Sequence, residues 1–291
     1  MLRTPIVSDR FYPGSHQECL TALDHCLSDR AENRELPAVI LGGIAPHAGW
    51  MCSGKVAGKV FSSAVGSECD TVVLFGAVHR AALSKAAVHP SGAWRTPIGD
   101  MVVDSELAEQ VARRSVLVES NVTAHRDEHS IEVQMPFIKR LFPTTKVLTV
   151  MVPPSTHAPE VGRVVVDAAR AMKRRIIAFG TTDLTHYGPA YRFEPHGPGA
   201  VGRRWAKEIN DRRIIDLMLQ MDAESVVPEA AAHRNACGAG AVAATITACQ
   251  ALRADRAVLL EHATSHEILG SAGGDNAVGY AAVVFGTNTL N

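Results

Sequence analysis

Three apolar runs in this chain each stop at a glycine or proline and then deliver a histidine. They are Leu41-Gly42-Gly43-Ile44-Ala45-Pro46-His47, Thr71-Val72-Val73-Leu74-Phe75-Gly76-Ala77-Val78-His79, and Arg175-Ile176-Ile177-Ala178-Phe179-Gly180, which runs on to Asp183 and His186. A thiol, Cys237, stands in Asn235-Ala236-Cys237-Gly238-Ala239-Gly240, just ahead of an alanine-rich helical stretch. Neutral imidazoles and a thiolate suit iron, zinc or copper, and three protein ligands with an open position are what a reactive metal needs. His186 need not be a ligand: a histidine at the rim of a metal cleft can move a proton at neutral pH, with Asp183 orienting or charging it. One histidine after a strand is an ordinary loop residue, whereas three such coincidences are hard to assign to packing. Cys237 has two readings. At a helix N-terminus the dipole and unpaired amides would lower its pKa, and otherwise it is a small core cysteine packed on a sheet.

These side chains converge only if the elements between them place the strand ends together. Residues 39–45, 71–76, 146–152 and 175–180 read as buried strands, being apolar and rich in β-branched residues. Groups just beyond the carboxyl ends of parallel strands share a crevice, and short right-handed crossovers make the strands before His47 and His79 expected parallel neighbours. Between them, Ser53 reads as the cap of a helix carrying Val56, Val60 and Phe61. Ser15 and Glu18 have capping-box spacing for a helix over 15–28, and Asp104 caps one running to about 114. Trp94 to Pro97 leads into a turn at Gly99-Asp100. In His125-Arg126-Asp127-Glu128-His129-Ser130-Ile131-Glu132 the acids suit a helix N-terminus. His129 and Glu132 could equally share a face and reach the cleft, with a cap role open for Glu132. A helix spans 158–173. The Gly- and Pro-rich stretch 191–202 reads as a loop near the site mouth, 203–221 as a helix with a solvated arginine face, and 257–262 with 278–285 as two paired strands around a turn at 273–276.

The sum is a single α/β domain over residues 1–291, with a central mostly parallel or mixed β-sheet flanked by helices. Lys plus Arg number 29 and Asp plus Glu 30, so no global field favours nucleic acid or an anionic membrane, and a small molecule or peptide is the expected partner. No apolar run approaches a membrane span and the start lacks a secretory pattern, so the expected location is the cytoplasm. Six cysteines without a C-x-x-C pair argue against a zinc ribbon and for reduced thiols. Nucleotide-cradling glycine patterns are absent from the sequence.

Ile44-Ala45-Pro46-His47-Ala48-Gly49, Asp127-Glu128-His129-Ser130-Ile131-Glu132, Asp183-Leu184-Thr185-His186-Tyr187-Gly188 and the Cys237-Gly238 helix start occur in the order and spacing of the Memo family, which the chain resembles over nearly its whole length. Bacterial and archaeal members are called AmmeMemoRadiSam system protein B. The resemblance implies a fold like that of class III extradiol dioxygenases. It places His47 and His79 where those enzymes hold ferrous iron, Cys237 where they supply a glutamate, His186 at their acid/base histidine, and Asp183 beside it. It implies Fe(II), with copper or zinc also suited, and a non-haem iron oxidoreductase acting on a catechol-like or chelating small molecule. The alternative is a metal- or peptide-binding protein without turnover, because a thiolate in place of a carboxylate softens the site. The bacterial name also implies a functional link to a radical-SAM protein.

Overall fold

The computed structural model describes residues 2–28, 36–270 and 274–289. The charged connection expected after the first helix, at 30–35, and Gly273 of the last turn lie outside the described residues. In chain order the elements begin with β1 (Leu2–Arg3), α1 (His16–Leu27), β2 (Val39–Ala45), α2 (Trp50–Ser63), β3 (Thr71–Gly76), β4 (Ala86–Val88), β5 (Ala93–Thr96) and β6 (Gly99–Val102). Next come α3 (Ser105–Arg114), β7 (Val118–Ser120), α4 (Val122–Arg126), α5 (Met135–Leu141), β8 (Lys146–Met151), α6 (Ala158–Ala171), β9 (Ile176–Thr181) and β10 (His186–Tyr187). The chain closes with α7 (Gly199–Trp205), α8 (Asp211–Gln220), α9 (Ala223–His233), α10 (Ala239–Ala251), β11 (Arg256–Thr264), α11 (Ser265–Leu269) and β12 (Ala277–Thr287).

The main sheet has the order β10-β12-β2-β9-β3-β8-β4-β7, with β11 also paired to β12. Strands β2, β9, β3 and β8 are mutually parallel, while β12 and β4 run antiparallel to their neighbours β2 and β8. A mixed sheet flanked by helices is therefore the architecture. The strands before His47 and His79 are not neighbours, because β9 lies between them and hydrogen-bonds to both. From Ile176 to Thr181 β9 is buried on both faces, as a central parallel strand must be, whereas β2 keeps two half-buried positions.

Alternation along the strands sends side chains to two cores. Val73, Phe75, Leu148, Val150 and Ala178 face α3, α6, α8, α9 and α10, whereas Val72, Leu74, Val147, Ile177 and Phe179 face α1, α2 and α5. Each such fully buried side chain contributes about 1.5–3 kcal/mol of transfer free energy. Helix α10 is buried from Ala239 to Cys249 on every side, as an evenly apolar helix must be. Its close approach to α6 depends on Gly162, where a Cβ would stand 2.0 Å from the Ala244 carbonyl oxygen.

Several expectations shift in detail. Helix α2 starts at Trp50 with Gly49 as its cap, since Pro46 ends the strand and the Trp50 amide donates to Phe11 O; Ser53 lies inside the helix and its hydroxyl donates to Ala48 O. The hairpin turn sits at Pro97-Ile98, because Thr96 pairs with Gly99. This hairpin joins β1 in a separate three-stranded sheet. The helix over 203–221 is α7, a π-helical turn (Ala206–Asn210) and α8, and the 191–202 loop gives way to α7 at Gly199. Helix α9, capped by Asp222, was not anticipated.

Glu132 neither caps a helix nor reaches the cleft. Buried, it pairs with Arg3, accepts from the Ile6 and Val7 amides at 2.9–3.0 Å and from the Tyr12 hydroxyl at 3.0 Å, and so straps the N-terminal segment to the core. Arg3 donates onward to the His125 and Glu128 carbonyls and stacks over Trp94. Breaking such a buried pair leaves an uncompensated charge, so Glu132→Ala is expected to cost about 3–5 kcal/mol. Urea unfolding would measure it, and a loss below about 1 kcal/mol, the scale of an exposed pair, would contradict the assignment.

Candidate metal centre

The carboxyl ends of β2, β3 and β9 stand side by side, and each releases a short loop into one cleft. His47 follows β2 by two residues and is 1% exposed. Its amide donates to Asp183 Oδ1 at 2.8 Å, its Nδ1 lies 2.7 Å from Thr181 Oγ1, and its Nε2 lies 3.1 Å from Cys237 Sγ. His79 follows β3 by three residues and keeps an open side to solvent. Its amide donates to Glu128 Oε2 at 2.8 Å, and its Nδ1 lies 2.9 Å from Glu128 Oε1. A carboxylate only accepts, so Nδ1 carries the proton and Nε2 is left with its lone pair. The two rings are 5.1 Å apart between centroids, at 81°.

Cys237 is brought in by the start of α10. Its amide donates to the Asp183 carbonyl at 3.1 Å, and the Asp183 amide returns a bond to Sγ at 3.3 Å. Gly238 allows this: its amide donates to Thr182 Oγ1, and a Cβ there would stand 2.1 Å from the Thr181 carbonyl oxygen. One ligand atom from each of His47, His79 and Cys237 then lies within 4.8 Å of the other two. The expected lowering of the Cys237 thiol is not found. The residue precedes α10 by two positions, and burial, reinforced by Asp183, pushes the thiol up.

Asp183 is buried with its carboxyl pushed up by desolvation, against the pull of His186 and of the His47 and Ala48 amides. His186 begins β10, where its Nδ1 donates to Leu184 O at 3.0 Å, leaving Nε2 as an acceptor, and its ring meets Tyr191 edge-on at 5.0 Å. Residues His186, Tyr191, Arg234, Ala236 and Cys237 line a cavity of about 340 Å³. All five side chains expected at the site therefore gather at one sheet edge, and Tyr191 puts the loop anticipated at the mouth beside them.

Glu128 was underread in the sequence, while His129 reaches the cleft, as one of its two readings had it. Glu128 was expected to serve a helix N-terminus; instead the short α4 ends before it, and it is a buried clamp on His79 that also accepts from the His129 and Ser130 amides. Burial alone would raise its carboxyl, but the donors from His79 and Ser130 hold it down at about 2. His129 stacks on His79 at 4.9 Å, meets His47 at 5.5 Å and is itself covered by Phe11 at 5.1 Å. Burial pushes His129 down to about 4, and pushes His47 well below its ordinary value with help from the neighbouring rings.

A family model described as Memo-like protein matches residues 3–284. MEMO1 family proteins of Methanopyrus kandleri and Thermococcus onnurineus are 34% and 33% identical to this chain, each over 98% of it and 99% of their own length. One from Methanothermobacter thermautotrophicus is 35% identical over 97% of this chain and 99% of its own. Among solved structures, an uncharacterized protein of Escherichia coli K12 aligns with a TM-score of 0.40 and 10% identity, covering 73% of this chain and 84% of that one. Among the described residues no helix is long and apolar enough to cross a membrane.

Acid stability should report these burials. The folded Glu128 carboxyl lies below its unfolded value of 4.5, so its stabilisation is present above pH 4.5 and is lost as pH falls towards about 2. His129, held near 4, adds a loss that starts earlier, as pH falls below 6.5. Urea unfolding between pH 7 and 2.5 is expected to show both phases, with Glu128→Gln removing the lower one, worth of order 3 kcal/mol. An unchanged lower phase in that variant would refute the clamp.

Proposed function

The chain belongs to the Memo family, and from that premise we propose that it is a metal-binding protein whose cleft holds a transition metal through His47, His79 and Cys237 and serves a non-haem redox reaction on a small chelating substrate. The observation that carries this reading is the commitment of each Nδ1. His79 gives its own to Glu128 and so keeps its Nε2 lone pair, while His47 sets Nδ1 against the Thr181 hydroxyl and Nε2 3.1 Å from Cys237 Sγ, which puts one ligand atom of each residue within 4.8 Å of the others. A ligating histidine ordinarily donates its second ring nitrogen to a carboxylate or hydroxyl, which fixes the tautomer and raises ligand basicity. The donors fit: two neutral rings and an ionisable thiol suit ferrous iron, with copper and zinc accepted by the same set, and the open side at His79 leaves room for a further ligand.

When bound, such a metal would supply Lewis acidity and one-electron chemistry. The chain's own part is proton handling and enclosure. His186, its Nδ1 anchored on Leu184 O, presents Nε2 as the base that takes a proton from a hydroxyl in the cavity, with Asp183 near enough to feel its field. Tyr191 closes one side of His186 and limits water there.

Elemental analysis of protein purified without chelators is expected to find stoichiometric transition metal in the wild type and its loss in His79→Ala and Cys237→Ser. Glu128→Gln, which keeps the size but weakens the clamp, is expected to lower affinity about 10–100-fold. His186→Ala should keep its metal and lose oxygen uptake with a panel of diols after anaerobic iron loading. Full metal in a His79→Ala, Cys237→Ser double variant would overturn the centre. Metal-replete wild type without uptake on any diol would make the protein a binder without turnover.

A further inference from the structure

The cavity beside Cys237 has a chemistry of its own. Its volume of about 340 Å³ is that of a small-molecule site. Among the groups lining it Arg234 is the one cation. The guanidinium lies 4.6 Å from the centroid of the Phe193 ring, and among the described residues it makes no ion pair. Arg113, Arg140, Arg170 and Arg212 each meet a carboxylate, whereas the exposed Arg114, Arg192 and Arg204 meet none among the described residues, so what sets Arg234 apart is its place in the cavity wall and its stacking on Phe193. An arginine stacked on an aromatic face is oriented while the N–H donors on its edge stay free for a planar acceptor. Arg80, next to His79 and close enough to His129 to help push that ring down, is likewise without an ion pair among the described residues. The acids of the cleft do not compensate these charges. Asp183 is buried and accepts from the His47 and Ala48 amides, and Glu128 is spent on His79, His129 and Ser130.

We propose that the molecule taken into this cleft carries an anionic group, a carboxylate or a phosphate monoester, which Arg234 holds by charge-assisted hydrogen bonds beside His186 and Cys237. The inference rests on reading the cleft as a substrate site, but Arg234 is not among the metal-donor residues, so the two can fail separately.

Isothermal titration of the purified full-length protein, its metal content measured in parallel, tests this with two probe pairs: 3,4-dihydroxybenzoate against its methyl ester, and phenyl phosphate against phenol. The charged member of at least one pair is expected to bind about tenfold more tightly. Arg234→Gln should erase that preference and Arg234→Lys restore part of it, with metal content unchanged in both. Arg204→Gln, which removes the same net charge elsewhere, should leave the preference intact. A preference in one pair alone assigns the anion to that class. Equal binding within both pairs, binding of no probe, or a preference that survives Arg234→Gln overturns the proposal, and a full metal content in that protein would leave the metal reading standing. A preference that persists in protein found to hold no metal upholds the proposal while the metal reading falls.

Discussion

Two buried carboxylates hold His47 and His79, each by accepting the histidine's backbone amide. Asp183 accepts the backbone amide of His47, and Glu128 accepts the backbone amide of His79 together with its ring Nδ1–H. A carboxylate this deep is tolerated only when donors surround it, and these donors come from the residues that must be positioned. The penalty for burying charge thereby becomes a constraint on ring orientation. Everything else at the cleft follows from where β9 and the segment before α5 put those carboxylates.

The constraint reaches outwards through the N-terminal segment. Glu132, four residues beyond Glu128, grips Arg3, the Ile6 and Val7 amides and the Tyr12 hydroxyl, while Arg3 returns to the Glu128 carbonyl. From the same segment Phe11 covers His129 and accepts the Trp50 amide that opens α2. One short polar stretch, 128–132, thus serves the cleft with its first acid and fastens the chain's beginning with its last. The cleft wall and the strap share a backbone, which couples loss of the strap to loosening of His79.

Much of this was legible because buried strands advertise themselves. β2, β3, β8 and β9 are apolar and β-branched, and the ends of β2, β3 and β9 carry residues that converge, so His47, His79, Asp183 and His186 could be read off the chain. What pattern could not give was order across the sheet: both β2 and β3 are satisfied by any parallel neighbour, and the insertion of β9 between them depends on both its faces being covered. Nor could it give the partner of a charge. Glu128 and Glu132 look like helix-start acids until the fold brings Arg3 and His79 to them from more than 40 residues away. Arg234 was invisible for a third reason, since α9 carries small residues and a proline rather than a marked apolar stripe.

The protonation pattern of the cleft argues for a particular kind of occupant. His47, His79, His129 and His186 stand within one another's fields, and burial leads the terms that keep His47 and His129 neutral. The same burial pushes the Cys237 thiol up rather than down, although the α10 terminus lies near. Left to protons, His47 and His129 are buried, uncharged bases and Cys237 a reluctant acid. A divalent ion changes that balance where a single proton cannot. It would be attracted by several lone pairs at once and would displace the thiol proton, so its affinity would rise with pH while the neutral rings need surrender nothing. His79 spends Nδ1 on Glu128 and turns Nε2 to the cleft, and His47 turns its Nε2 to the Cys237 sulfur at 3.1 Å.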